Sequence, residues 1–102
     1  MDKTIISEDG QFEWNKEKDV LNEQKHQLSF ETALLAFNDE FFIEVQDTAH
    51  SLEEERFKGI GSIQGILVVT VFYTERKRIR LISARKANIS ERKAYYENML
   101  AY

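Results

Sequence analysis

Two adjacent segments near the middle of the chain constrain its fold most. Residues 66–73 are almost all β-branched, aliphatic or aromatic, a pattern typical of a strand buried on both faces. Residues 78–84 also have the pattern of a strand but include Arg78 and Arg80, and the link between the two segments, residues 75–77, is short and polar. This spacing predicts a β-hairpin. The hairpin would join the centre of a sheet to a cluster of positive charge, an arrangement suited to binding anions.

The rest of the chain predicts an α+β fold with two N-terminal helices, a four-stranded, mostly antiparallel sheet and a C-terminal helix. Asn15 can cap a helix over residues 16–26, and Ser29 can cap a second over residues 30–37, where apolar residues recur at helical spacing. We expect the last helix to begin near Ile89 with Ser90 as its cap. The predicted strands are residues 41–47, 55–62, 66–73 and 78–84. Gly59 and Gly61 in the second strand indicate a bulge or a close backbone approach.

The length fits one domain, which we place at residues 12–102 after an N-terminal tail, residues 1–11, that is either loose or a short edge strand. Without cysteine the chain has no disulfides, thiolate metal sites or cysteine nucleophiles. The apolar runs are too short to span a membrane, and the N-terminus lacks the apolar core of a signal peptide. We therefore expect a cytoplasmic protein with no membrane partner.

Charge is segregated along the chain. Residues 75–93 hold eight Lys or Arg and two acids, whereas the other residues hold six basic and sixteen acidic side chains, for a net charge of −4. Such segregation is compatible with a confined anion site. A solvated strand edge followed by a helix start explains it equally well at this point.

The candidate chemistry is phosphodiester cleavage in RNA without a metal ion or cofactor. His26 and His50 lie far apart and lack metal-ligand spacing. Metal-free cleavage needs a base for the 2′-hydroxyl proton, an acid for the leaving 5′-oxygen and cations for the phosphorane. The residues of suitable type are the cations Lys25, Arg56, Arg78, Arg80 and Arg85, with His26, Glu55 and Glu75 for proton transfer.

A series of short motifs runs in order from about Phe12 to Tyr96. They are Phe12, Glu13, Trp14 and Asn15; Lys18 and Asn22; Lys25 and His26; Ser29, Phe30, Glu31, Ala33 and Phe37; Asp47, His50 and Ser51; Glu54, Glu55, Arg56 and Phe57; Ile60 and Gly61; residues 68–71; Tyr73, Thr74 and Glu75; residues 78–87; and Glu91 and Arg92. This series resembles the BrnT family of toxins from bacterial type II toxin–antitoxin systems, small ribonucleases with a RelE-like fold. The chain departs from the family pattern at Gln27, where Gly is usual, and at Glu40, where Pro is usual. Both departures fall in turns.

The resemblance implies an endoribonuclease that slows translation and is silenced by a BrnA-like antitoxin, so that DNA is reached only through the antitoxin. Within this interpretation Arg80 and Arg85 grip the scissile phosphate, and the other RNA contacts come from Arg56, Arg78 and Lys86. Acid or base function falls to Lys25 and His26, with Glu55 as an alternative base.

Alternatives to this interpretation remain open. Lys25 and His26 could only cap a helix, and Glu55 and Arg56 could only pair with cross-strand charges. In an unbroken strand Arg80 and Arg85 would point to opposite faces, so a bulge or a strand end must intervene for them to converge. A catalytically degenerate module that binds an antitoxin or RNA is the alternative function.

Overall fold

The computed structural model describes residues 3–51 and 53–102. Within them the chain forms an α+β fold. The strands are β1 (Thr4–Ile6), β2 (Phe12–Asn15), β3 (Ile43–Gln46), β4 (Arg56–Ile63), β5 (Leu67–Glu75) and β6 (Ile79–Lys86). The helices are α1 (Lys16–His26), α2 (Phe30–Ala33) and α3 (Ile89–Leu100), with short 3₁₀ helices at Leu34–Asn38 and Thr48–His50. No helix in this part of the chain is both long and apolar enough to cross a membrane.

The six described strands form one mixed sheet in the order β1-β2-β6-β5-β4-β3. All neighbours are antiparallel except β2 and β6, which are parallel. The expectation of four strands was wrong, because β1 and β2 add two more beside β6. Strand β1 has only three residues, and β2 pairs with β6 from a distant part of the chain, so the place of neither in the sheet follows from its own residues. The predicted hairpin is confirmed as β5 and β6, and β1 lies within the segment that we assigned to the tail.

Helices cover the two faces of the sheet differently. On one face, which we call the core face, α2 contacts β6 and the 3₁₀ segment after it contacts β4, and both share a buried cluster with Val69, Val71 and Tyr73 of β5. On the other, which we call the α3 face, Tyr95 of α3 packs in a smaller cluster with Ile60, Val68 and Ala87. Strand β5 is therefore buried on both sides, as its composition predicts.

The second predicted helix is helical throughout but changes type. Ser29 caps it as expected, since its Oγ accepts a hydrogen bond from the Thr32 amide at 3.1 Å. The α-helix ends at Ala33, and the segment continues as a 3₁₀ helix to Asn38. The apolar spacing of this segment does not distinguish the two helix types over so few residues.

The cap of α3 is Asn88, and the expected Ser90 cap was wrong. The Asn88 Oδ1 accepts from the Glu91 amide at 2.8 Å, and the Glu91 Oε1 accepts from the Asn88 amide at 2.9 Å. This capping box needs an acidic or amide side chain three residues after the cap. Asn88 meets that condition, whereas Ser90 is followed at the same distance by Lys93.

The turn after α1 has the backbone conformation that favours glycine, although its residue is Gln27. Gln27 lies in the left-handed region, with φ of 54°, and its amide donates to the Glu23 carbonyl at 2.8 Å. The helix thus ends as a glycine cap would end it, with about 1–2 kcal/mol of backbone strain.

The two glycines of β4 mark a close approach, as predicted. A Cβ added to Gly61 would lie 2.6 Å from the Ala36 carbonyl oxygen, and one added to Gly59 would lie 2.2 Å from the end of the Phe42 ring. The 3₁₀ segment and the turn after it therefore pack directly on the backbone of β4.

Candidate functional site

A β-bulge in β6 decides which side chains face each other. Phe72 of β5 lies opposite Ser83. The next residue, Tyr73, lies opposite Leu81, which leaves Ile82 as an extra residue. A bulge of this kind reverses the alternation of the strand beyond it.

The bulge brings Arg80 and Arg85 to the same side of the sheet. Their neighbours Leu81 and Ala84, three residues apart, are both buried in the cluster of the core face. Arg80 and Arg85 pair with Thr74 and Thr70, so both lie on the α3 face. The condition for their convergence is therefore met.

Three rows of cross-strand neighbours cross β4, β5 and β6 on the α3 face. The rows are Arg56, Thr74 and Arg80; Lys58, Phe72 and Ser83; and Ile60, Thr70 and Arg85. We call the four cations Arg56, Lys58, Arg80 and Arg85, with Phe72 among them, the cationic face. Since neighbouring strands lie about 4.8 Å apart, its outer strands are about 10 Å from each other. The guanidinium carbons of Arg56 and Arg85 lie 5.7 and 5.3 Å from the Phe72 ring centroid.

Glu91 of α3 anchors one side of the cationic face. Its carboxylate accepts two hydrogen bonds from Arg85, at 2.7 and 3.0 Å, and one from Thr70 at 2.9 Å, and it lies 3.4 Å from the Lys58 ammonium. Burial alone would raise the pKa of the Glu91 carboxyl, but hydrogen bonds from Arg85, Asn88 and Thr70 outweigh burial and lower the pKa to about 2. Glu91 is therefore a carboxylate throughout the neutral range.

The other side of the cationic face is anchored by Glu13 of β2. Arg80 donates to the Glu13 carboxylate at 2.6 Å, and Arg78 lies 3.9 Å from it. Arg78 also donates to the Gly10 carbonyl at 3.0 Å. The Arg80 side chain is only 18% exposed, so its position is fixed by the parallel pairing of β2 with β6.

A third carboxylate, Asp47, lies next to Arg56. The Arg56 Nε is 3.7 Å from Asp47 Oδ2 and makes no hydrogen bond within the described residues. The imidazole of His50 also contacts Asp47, with Nδ1 3.0 Å from the same oxygen. His50 was outside our candidate set, although the spacing of Asp47 and His50 was visible in the sequence.

Two predicted residues lie apart from the cationic face. Lys25 and His26 lie in the last turn of α1. One turn earlier, the side chain of Asn22 hydrogen-bonds the backbone of Ala84 in β6. Lys25 is exposed and His26 is partly buried. No hydrogen bond or ion pair in the described part of the chain links either residue to the four cations. Their catalytic role stays a prediction.

The remaining predicted residues lie at the ends of strands. Glu55 is exposed immediately before β4, and Lys86 is exposed at the end of β6. A hydrogen bond with Glu44, burial, and the charges of Glu44 and Glu55 raise the pKa of the Glu75 carboxyl. The Glu55 carboxylate is thus near enough to Glu75 for its charge to act on that group.

Comparison with known proteins now gives the family. The family model described as "Ribonuclease toxin, BrnT, of type II toxin-antitoxin system" matches residues 14–91. A crystal structure of the Brucella abortus ribonuclease toxin BrnT is similar in fold, with a TM-score of 0.53 and 24% sequence identity, over 74% of this chain and 92% of that chain. No curated protein matches. Because the family model covers most of the chain, from Trp14 in β2 to Glu91 in α3, the chain belongs to the BrnT family of ribonuclease toxins of type II toxin–antitoxin systems.

Proposed function

We propose that the cationic face binds and cleaves RNA, and that it does so without a metal ion. The observation that carries this proposal is the bulge at Ile82, which places Arg80 and Arg85 on the same side of the sheet as Phe72. Planar guanidinium groups match two phosphate oxygens at once, and an aromatic ring among them can contact a base. The helices and sheet also fit the RelE-like architecture implied by the sequence resemblance.

Arg80 and Arg85 would hold the scissile phosphate from two directions. Three N–H groups of Arg85 are already engaged. Nη1 donates to Glu91 and to the Lys86 carbonyl, and Nη2 donates once to Glu91. A guanidinium has five N–H donors. Its Nε–H and the remaining N–H of Nη2 therefore form a second fork that can meet a phosphate while Glu91 stays bound.

The reaction would proceed by attack of the RNA 2′-oxygen on the adjacent phosphorus. The phosphorane gains negative charge on its equatorial oxygens, which fixed guanidinium groups stabilise. Arg56, Arg78 and Lys86 would contact neighbouring phosphates. Lys25, His26 and Glu55 remain our sequence-based candidates for proton transfer.

The first test is replacement of Arg80 by alanine. We expect cleavage of a single-stranded RNA in EDTA to fall about 10²- to 10³-fold, because one preorganised donor to the transition state is lost. Wild-type products should carry 2′,3′-cyclic phosphate ends. Lys16→Ala, which removes one exposed positive charge at the start of α1, should cleave at the wild-type rate.

Folding must be separated from catalysis, since Arg80→Ala leaves Glu13 without one of its partners. Arg80→Lys retains the charge but not the fork, and we expect it to keep the wild-type melting temperature and an intermediate rate. Full activity of a folded Arg80→Ala protein would remove Arg80 from the site. A folded wild-type protein that binds RNA without cleaving it would favour the non-catalytic module.

We also propose that a BrnA-like antitoxin silences the protein in the cytoplasm by covering the cationic face with an acidic or amphipathic segment. The support is the segregation of charge, since residues 75–93 hold most of the basic side chains of an acidic protein. Antitoxin and RNA should then compete, so that a labelled RNA is displaced from the toxin as antitoxin is added. Formation of a ternary complex, with Arg80 and Arg85 still open to solvent, would contradict this arrangement.

A further inference from the structure

The described residues place one imidazole, that of His50, directly beside the cationic face. We propose that His50 is the general base of RNA cleavage and that Asp47 is the residue that positions it. This inference rests on the proposed function and names a proton-transfer residue different from those expected from the sequence.

The first support is the pairing of His50 with Asp47. The His50 Nδ1 lies 3.0 and 3.2 Å from the two oxygens of the Asp47 carboxylate. An ionised carboxylate only accepts hydrogen bonds, so this contact assigns the proton of the neutral ring to Nδ1. The lone pair of Nε2 is then available to accept a proton.

The second support is the difference in exposure within this pair. The His50 side chain is 63% exposed, whereas that of Asp47 is 13% exposed. Asp47 is also tied to β4, since its amide donates to the Arg56 carbonyl at 2.7 Å and its carbonyl accepts from the Ser51 hydroxyl at 2.6 Å. A fixed carboxylate thus holds an imidazole that a substrate can reach.

The third support is the location of His50 relative to the arginines. It lines a cleft of about 310 Å³ with Arg56, Thr74 and the bulged Ile82, and with Glu53 and Glu54. Thr74 is the cross-strand neighbour of both Arg56 and Arg80. A phosphate held by Arg80 would therefore lie at the same end of the sheet as the imidazole, whereas no hydrogen bond or ion pair among the described residues links His26 to the arginines.

The chemistry balances with His50 alone as the proton carrier. Nε2 removes the 2′-hydroxyl proton while the 2′-oxygen forms its bond to phosphorus. The bond from phosphorus to the 5′-oxygen breaks, and the imidazolium returns the proton to that oxygen, directly or through water. The products are a 2′,3′-cyclic phosphate and a 5′-hydroxyl, with no net consumption of water.

The test compares His50→Ala with His26→Ala in the full-length protein. We expect His50→Ala to lower kcat for RNA cleavage about 10²- to 10⁴-fold, the usual contribution of a general base. Affinity for a non-cleavable 2′-O-methyl RNA and the melting temperature should stay within experimental error of wild type. His26→Ala tests the rival candidate for the base, and Lys16→Ala, at an exposed residue outside the cationic face, should retain the wild-type rate.

Two further measurements separate proton transfer from a structural role. Added imidazole should restore part of the activity of His50→Ala in a concentration-dependent manner, because the lost side chain lies at the surface. Asp47→Asn should lower kcat with little change in KM, since His50 remains but is no longer oriented by a charged carboxylate.

The outcomes distinguish this inference from the proposed function. A folded wild-type protein that does not cleave RNA would overturn both. Cleavage by wild type together with a near-normal rate for His50→Ala would overturn the role of His50 alone. Loss of activity in His26→Ala with retention in His50→Ala would move the base to α1.

Discussion

Replacing Glu91 with glutamine should lower the free energy of unfolding by about 3–5 kcal/mol at neutral pH, the usual effect of removing one partner from a buried ion pair. Glu91 is only 4% exposed and faces both Arg85 and Lys58. A glutamine retains an oxygen for the capping box with Asn88 but leaves the two cations without a countercharge.

The dependence of this effect on pH identifies its cause. The pKa of Glu91 is lowered from 4.5 to about 2 on folding, so its ionised form stabilises the protein fully above pH 4.5. This contribution, about 3 kcal/mol for a shift of this size, is lost as the pH falls from 4.5 towards 2. The difference between wild type and Glu91→Gln should therefore be constant near neutrality and shrink in acid.

Urea denaturation at pH 7, 4 and 3 measures this difference directly. Glu97→Gln is the matched control, because Glu97 is exposed on the same helix and should change stability by less than about 0.5 kcal/mol. An equal destabilisation by Glu91→Gln at pH 7 and pH 3 would mean that packing or capping, rather than the charge, explains the effect.

The sequence predicts the fold best in segments where the composition and the length both indicate the same element. The apolar run of β5 and the short polar link after it have few alternatives to a buried hairpin strand. By contrast the sheet was expected to have four strands, because an edge strand in residues 1–11 was only one of two alternatives and the parallel pairing of β2 with β6 joins residues far apart in the chain. The cap at Asn88 was available in the sequence through its spacing to Glu91.

The site was harder to predict because its geometry depends on a single extra residue. Nothing in the sequence around Ile82 signals a bulge, yet the bulge decides whether Arg80 and Arg85 face the same side. Glu13, one partner of Arg80, lies 67 residues away in the chain. His50 was missed because it lies in a polar loop, and the residues that such a loop contacts cannot be inferred until the positions of β4 and β6 are known.

Tyr73 occupies the centre of the core face and should be among the residues least tolerant of truncation. It is fully buried, its ring lies 5.2 Å from that of Phe37 and 5.9 Å from that of Phe57, and its hydroxyl donates to the Glu44 carboxylate. Tyr73→Ala should lower the free energy of unfolding by about 3–5 kcal/mol, because the cavity left in the sheet is too enclosed to collapse. Thermal or urea unfolding measures this loss.

Tyr73→Phe is the matched variant and also tests where the chemistry occurs. It keeps the ring and should lose only about 1 kcal/mol, the net value of one hydrogen bond, because the exposed Glu44 carboxylate can be solvated instead. Burial and the Glu44 carboxylate raise the pKa of Tyr73, so its hydroxyl stays protonated and is a poor base. Because this hydroxyl lies on the core face, opposite the cationic face, a folded Tyr73→Phe protein should cleave RNA at the wild-type rate. A large loss of cleavage without loss of folding would instead place the proton transfer near Glu44, Glu75 and Glu55, and would return Glu55 to the role of base.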